Sequence, residues 1–158
     1  LKFLSSRERS SGEVKARLAQ AGFDPVVITE TVSWLHDLGY LDDRRFVQRY
    51  VEEKMRSGWG PRRLQVELAR KGVDRTLLEE CLQSAVEDDA ASARQDETLL
   101  ALVERRFGKP WRADPQQTER RLSTFLARRG FGWDEISRIT REFTARQESD
   151  STLSDEEG

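Results

Sequence analysis

The sequence predicts an all-α protein made of three tandem three-helix repeat modules that form an elongated, curved array. Two observations support this fold class. One short pattern occurs three times without gaps, and in each copy apolar residues recur at helical spacing before a glycine. The composition, 36% hydrophobic and 35% charged among 158 residues, suits thin apolar cores such as small helical modules have.

The three copies of the pattern run from Glu13 to Ile28, from Arg63 to Leu78 and from Arg121 to Ile136. Each copy has a leucine, then an alanine, then a glycine that we expect to end a helix in a left-handed C-terminal cap. A second helix should follow each glycine, because Asp favours the N-cap and Pro the first helical position. The expected starts of these second helices are Asp24-Pro25, Asp74 and Gly132.

A further helix is predicted before each pair. Amphipathic patterns indicate it over Asp42 to Arg56 and over about Ser92 to Phe107, and the N-terminal LKFLSSRERS resembles the remnant of a matching helix. The glycine spacing indicates an eight-residue excess in or near GKPWRADPQ. The predicted organisation is therefore module 1 over residues 1–39, N-terminally truncated, module 2 over 40–90, module 3 over 91–146, and a disordered acidic tail over 147–158.

The formal charge of −2 hides a local asymmetry. Glu148 to Gly158 hold five acids and no Lys or Arg, whereas Tyr40 to Arg75 hold ten Lys or Arg against six acids. Such a basic segment either faces an anionic partner or is simply a solvated surface.

The sequence predicts no catalytic residues, no metal site and no cofactor. His36 has no second histidine or cysteine at ligand spacing, and no phosphate-binding GxxxxGK[ST] loop is present. Asp42 and Asp43 are explained as helix-capping residues. Cys81 occupies the repeat position of Thr31 and Ile139, so we expect a core residue rather than a reactive thiol.

No long apolar run or charged-then-apolar leader is present, so neither a membrane span nor a signal peptide is expected. With one cysteine, no internal disulfide can form. We therefore expect a cytoplasmic protein without membrane association, and a monomer.

The segment GYLDDRRFVQRYVEEKMRSGWGPRRLQVELARKGV, Gly39 to Val73, resembles the signature region of the RecX family. Its elements are a GYLDDxxF entry into one helix, GPxxL into the next, and LxxKGV at the end of that helix. The resemblance continues in LxxRERSxxEV near the N-terminus and, more weakly, in module 3. It implies a non-catalytic regulator in recombination, DNA repair and the SOS response. Such a protein binds RecA filaments on DNA and inhibits ATP hydrolysis, strand exchange and co-protease activity.

Under this hypothesis the partner is the RecA recombinase filament, with single- or double-stranded DNA as a further candidate. The basic excess of module 2 suits that role, and its interspersed acids favour a protein of mixed charge over bare DNA as the sole target. The candidate partner-binding residues are Arg44, Arg45, Arg49, Arg56, Trp59, Arg62, Arg63, Arg70 and Lys71.

Two other functions remain open. Each module contains a helix, a turn and a helix, which is compatible with helix-turn-helix DNA binding, although Glu79 and Glu80 on one candidate recognition helix would repel phosphate. A helical-repeat adaptor for another protein is the second alternative.

The aromatic residues also allow more than one interpretation. Trp59 is either a hydrophobic staple on Leu64 or an exposed interface anchor. Tyr40, Trp111 and Trp133 are expected to seal module junctions.

Overall fold

The computed structural model describes residues 8 to 156, with side chains through residue 150, and over this range the chain is helical with no strand. The all-α prediction is confirmed. The helices are α1 Ser11–Gln20, α2 Pro25–Asp37, α3 Asp43–Arg56, α4 Pro61–Arg70, α5 Arg75–Glu87, α6 Asp89–Ala113, α7 Pro115–Arg128 and α8 Trp133–Glu156. None of these helices is long and apolar enough to cross a membrane.

The three repeat glycines end α1, α4 and α7 as predicted, each with positive φ. After α1, the Gly22 amide donates to the Ala19 carbonyl and the Phe23 amide donates to the Leu18 carbonyl. This pair of bonds is the Schellman motif, which satisfies carbonyls that the helix leaves without partners. The same two bonds recur at the ends of α4 and α7.

The predicted starts of the second helices are also confirmed. The Asp24 carboxylate accepts from the Val26 amide, and Pro25 is the first residue of α2. The Asp74 carboxylate accepts from the Leu77 amide before α5. At α8 a different cap is used, since the Glu135 carboxylate reaches back to the Gly132 amide.

The chain divides into two compact units. The first unit comprises residues 1–53 and 65–85. Within its described part, the apolar side chains of α1, α2 and the segment before α3 form a small core of Val14, Val32, Leu35 and Leu41, with Leu18 at its edge.

A close backbone contact joins the start of α1 to the end of α4 within this unit. A Cβ atom added to Gly12 would lie 2.5 Å from Gly72 Cα. Beside this contact, the buried Ser10 hydroxyl donates to the Lys71 carbonyl. Ser10 is also the N-cap of α1 in a capping box with Glu13. The start of one helix therefore satisfies the exposed carbonyls at the end of another.

The second unit comprises residues 54–64 and 86–158. Helices α6, α7 and α8 pack against one another here. Their core consists of Leu99, Leu100, Val103, Phe107, Leu122, Leu126, Phe131, Ile136, Ile139 and Phe143.

A matching glycine contact joins the start of α4 to the end of α7. The Gly60 amide donates to the Arg129 carbonyl at 2.7 Å, and the Arg62 amide donates to the Gly130 carbonyl at 3.1 Å. A Cβ atom on Gly60 would lie 2.5 Å from the carbonyl carbon of Gly130. Ser10 and Gly60 are equivalent in the repeat, as are Lys71 and Arg129, so equivalent segments meet in both units, although Gly12 itself aligns with Arg62.

The excess residues before the third repeat lengthen helices rather than a loop. Helix α6 has 25 residues and continues through Pro110, and α7 then begins at Pro115 with Asp114 as its N-cap. The sequence analysis located the excess correctly but did not predict that it is helical.

The predicted disorder from residue 147 onward is wrong over the described part, because α8 continues to Glu156. The Gln147 side chain is buried. One residue earlier, the Arg146 guanidinium bonds to carboxylates of Glu97 and Glu104 on α6 and of Glu142 on α8. The Arg146 contacts attach α8 to α6 directly before the segment that composition suggested is a free tail.

The three aromatic residues expected to seal module junctions lie elsewhere. The Trp111 ring packs edge-on against Phe143, with ring centroids 5.5 Å apart, and so belongs to the second core. Tyr40 is 54% exposed and Trp133 is 74% exposed, so the prediction that they seal junctions is wrong.

The glycine junction in the second unit predicts that alanine destabilises the protein at Gly60 but not at Gly108. Gly60→Ala should destabilise the protein by about 1–3 kcal/mol, because its methyl group would overlap the Gly130 backbone. The melting temperature measured by circular dichroism should fall by several degrees.

Gly108→Ala is the matched control, since its methyl group would meet only the Gln147 Oε1 atom at 3.7 Å. Because alanine favours the helix, that variant should keep or raise the melting temperature. Equal melting temperatures for the two variants would contradict the junction.

Candidate partner-binding surface

Three of the predicted basic residues lie on α3 in the first unit, and all three are ion-paired. Arg44 Nη2 lies 2.7 Å from Glu80 Oε2. Arg45 Nε and Arg49 Nη1 each lie 3.1 Å from Glu8 Oε1. Because Arg45 and Arg49 are four residues apart, they lie on one helix face and share this carboxylate.

Arg70 and Lys71, at the end of α4, are paired as well. Arg70 lies 3.5 Å from Glu67 on the same helix. Lys71 Nζ lies 3.3 Å from Glu13 Oε1 and 5.6 Å from the centroid of the Tyr50 ring. The basic excess read from the sequence is therefore largely balanced by local acids in this unit.

These ion pairs are nevertheless exchangeable. The side chains of Arg44, Arg45 and Arg49 are each more than half exposed. Exposed pairs contribute little to stability, because water screens them and ordering two long side chains costs entropy. The hydrogen bond from Arg44 to Glu80 raises the pKa of Arg44 above its usual value. A partner carboxylate or phosphate can thus replace Glu8 or Glu80.

The other predicted residues, Arg56, Trp59, Arg62 and Arg63, belong to the second unit. The Arg63 guanidinium lies over the half-buried Trp59 ring, 3.7 Å from its centroid, and Lys54 Nζ lies 5.3 Å from the same centroid. Trp59 therefore presents a ring face that is covered by cations. Leu64, on which Trp59 was expected to pack as a hydrophobic staple, is fully buried. Arg56 and Arg62 are exposed.

Two arginines that the sequence analysis did not select, Arg106 and Arg129, lie in the same unit as Arg63. The guanidinium carbons of Arg106 on α6 and Arg129 after α7 each lie 5.0 Å from the centroid of the Phe125 ring. Burial lowers the pKa of Arg129, and the positive charges of Arg63 and Arg106 lower it further. The structure thus gathers three guanidiniums that are 43 and 23 residues apart in sequence.

A weak signal for Arg129 was present in the repeat alignment. Lys71 and Arg129 both precede the turn glycine, and both carbonyls take part in the glycine junctions. For Arg106 the sequence offers no comparable signal, because its proximity depends on how α6 packs against α7.

The polar residues considered for chemistry have structural contacts instead. His36 Nδ1 lies 2.9 Å from the Leu41 carbonyl, which only accepts, so Nδ1 carries the proton. Nε2 shares a hydrogen bond of 2.7 Å with the Ser11 hydroxyl. The Ser11 amide donates to Asp43, and the Asp42 carboxylate caps α3 through the Arg45 amide. Among the described residues, no group of three His, Cys, Asp or Glu side chains is arranged to hold a metal ion.

Comparison with known proteins identifies the fold and the family. The chain matches the first RecX three-helix domain over residues 1–35, the second over 42–82 and the third over 94–140. The chain belongs to the RecX family. The expected three-helix modules and the family resemblance are confirmed.

Individual relatives agree with this assignment. The "Regulatory protein RecX" of Halorhodospira halophila is 35% identical over 136 residues, covering 86% of this chain and 80% of that protein. The protein of the same name from Cronobacter sakazakii is 30% identical, covering 90% and 88% of the two chains. The crystal structure of RecX from Lactobacillus salivarius has a TM-score of 0.79 at 24% identity, covering 92% of each chain, which shows that the fold is shared.

Cys81 is the only thiol of this RecX-family protein, and it gives a direct test of the assigned core position. Its side chain is buried, and burial raises the pKa of the thiol. We expect the native protein to react very slowly with Ellman's reagent at pH 8 and the urea-unfolded protein to react at once. Rapid, stoichiometric reaction of the native protein would show an accessible thiol instead.

Proposed function

We propose that this RecX-family protein binds the RecA recombinase filament on DNA and inhibits ATP hydrolysis, strand exchange and co-protease activity. The observation that carries the proposal is the match to all three RecX domains, together with relatives named as regulatory proteins. On this proposal the protein acts as a monomer in the cytoplasm, by binding, without catalysis or a cofactor.

The geometry of α3 supports a role for its basic residues in binding. Arg45 and Arg49 lie on one helix face and are held by a single carboxylate, that of Glu8. A filament surface with several acidic groups offers these arginines more favourable partners than one shared carboxylate. The proposed contact residues are Arg44, Arg45, Arg49, Arg56, Trp59, Arg62, Arg63, Arg70 and Lys71.

A second possibility, helix-turn-helix DNA recognition, receives less support. Helix α5 would be the recognition helix of module 2, yet it carries exposed Glu79 and Glu80. Those carboxylates would face the phosphates of a major groove. Binding to a recombinase filament needs no such insertion.

The proposed contact predicts a loss of inhibition without a loss of fold. Arg45→Gln combined with Arg49→Gln removes two exposed charges, so the melting temperature should change little. Inhibition of DNA-dependent ATP hydrolysis by the recombinase should weaken roughly tenfold or more, because charged interface contacts are lost. The measurement is the inhibitor concentration that halves the ATPase rate.

Arg75→Gln is the control for removing an exposed arginine that lies outside the proposed contact. Arg75 is an exposed arginine of the same unit, paired with Glu79 on its own helix at 2.7 Å and absent from the proposed contact. The Arg75→Gln variant should inhibit the recombinase as strongly as the unaltered protein does. If the unaltered protein fails to inhibit at several-fold molar excess, the proposed function is wrong. If the double variant inhibits normally, Arg45 and Arg49 lie outside the contact.

A further inference from the structure

Three arginines of the second unit converge around two aromatic rings. Arg63 comes from α4 and lies over Trp59, whereas Arg106 from α6 and Arg129 from the end of α7 both lie against Phe125. With each guanidinium carbon 5.0 Å from the same ring centroid, Arg106 and Arg129 lie within about 10 Å of one another. We call Arg63, Arg106 and Arg129 the arginine cluster.

The cluster is not neutralised by acids. Within the described part of the chain, none of its three guanidiniums forms an ion pair with a carboxylate. Arg129 Nη1 donates instead to the Ser57 carbonyl at 2.8 Å. Other arginines of the same unit are paired, since Arg138 bonds to Asp96 and Arg146 bonds to three glutamates.

Among the three arginines, Arg129 is the one whose charge this arrangement disfavours. Burial and the neighbouring charges of Arg63 and Arg106 lower its pKa, which means that the protein disfavours its charge. A bound anion would reverse that effect by supplying the missing negative charge. The cluster is reachable, because Arg106 is exposed and Arg63 and Arg129 are partly exposed.

The chemistry of the cluster favours a phosphodiester chain over a peptide. Guanidinium groups bind phosphate oxygens through paired hydrogen bonds. The cations occupy faces of Trp59 and Phe125, so these arginines present charge rather than a stacking platform for bases or an apolar pocket for side chains. Three cations without carboxylate partners suit a polymer that carries a charge at every nucleotide.

We propose that the arginine cluster binds the phosphodiester backbone of DNA without reading its sequence. This inference deepens the proposed function, on which it rests for the DNA being that of the recombinase filament. Contacts of this kind position a protein on DNA but carry no sequence information.

The test is DNA binding by the full chain alone, with no recombinase present. Fluorescence anisotropy of a labelled thymidine oligonucleotide gives the affinity between about 50 and 200 mM sodium chloride. For Arg63→Gln combined with Arg106→Gln, we expect roughly tenfold weaker binding at the lowest salt. The slope of log affinity against log salt should become shallower by about 1.4, at 0.7 for each lost single-strand phosphate contact.

Arg105→Gln combined with Arg112→Gln is the matched control, because it removes the same charge from exposed positions on α6. It should bind nearly as the unaltered protein does. Arg129 is left in place because its side chain also bonds to the Ser57 carbonyl. Melting temperatures of both variants establish that the fold is intact.

Three outcomes overturn the inference. One is an unaltered protein that does not bind the oligonucleotide; another is equal weakening in the control pair, which would reflect net charge alone. The third is normal DNA binding but lost recombinase inhibition in the Arg63/Arg106 variant, which would assign the cluster to an acidic protein surface. If DNA binding depends on the cluster while the recombinase is never inhibited, the inference stands and the proposed function fails.

Discussion

The contact on which this architecture depends is the close approach of a helix start to the glycine turn that ends a helix of the next module. It occurs between Gly12 and Gly72 and again between Gly60 and Gly130. Each contact places amide or hydroxyl donors of one helix start against carbonyls that the other helix leaves unpaired. Glycine is required at the interface because a Cβ atom would overlap the opposing backbone. The turn glycines Gly72 and Gly130 meet a second requirement, because they also adopt positive φ, which favours glycine.

The same junction brings the arginine cluster together. A Cβ atom on Gly130 would lie 2.5 Å from Arg63 Cβ, so the glycine lets α4 approach the turn that carries Arg129. Packing of α6 against α7 then adds Arg106 beside Phe125. Two guanidiniums are therefore held near Arg129 by contacts that also stabilise the fold. Their mutual repulsion is a consequence of the architecture that a bound anion can relieve.

The arginine cluster and the selected arginines of the first unit differ in whether carboxylates balance their charge. On α3, Arg44 is paired with Glu80, and Arg45 and Arg49 are paired with Glu8, so the charge excess of that segment overstates the local field. In the second unit the arginine cluster has no such partner within the described residues. The net charge of a sequence window therefore did not show which basic residues lack an acidic partner. Carboxylates that are distant in sequence, such as those of Glu8 and Glu80, pair with the basic residues of the window.

The amino-acid sequence by itself determined the helix class, the repeat, the glycine caps at Gly22, Gly72 and Gly130, and the capping roles of Asp24 and Asp74. These features depend on local backbone preferences and helical periodicity, which a sequence carries directly. Only the tertiary structure decided that α8 continues past Gln147, that Trp133 and Tyr40 are exposed, and that Arg106 and Arg129 accompany Arg63. Those outcomes depend on contacts between helices, such as Arg146 with Glu97 across α8 and α6, and no local pattern records which distant side chains meet.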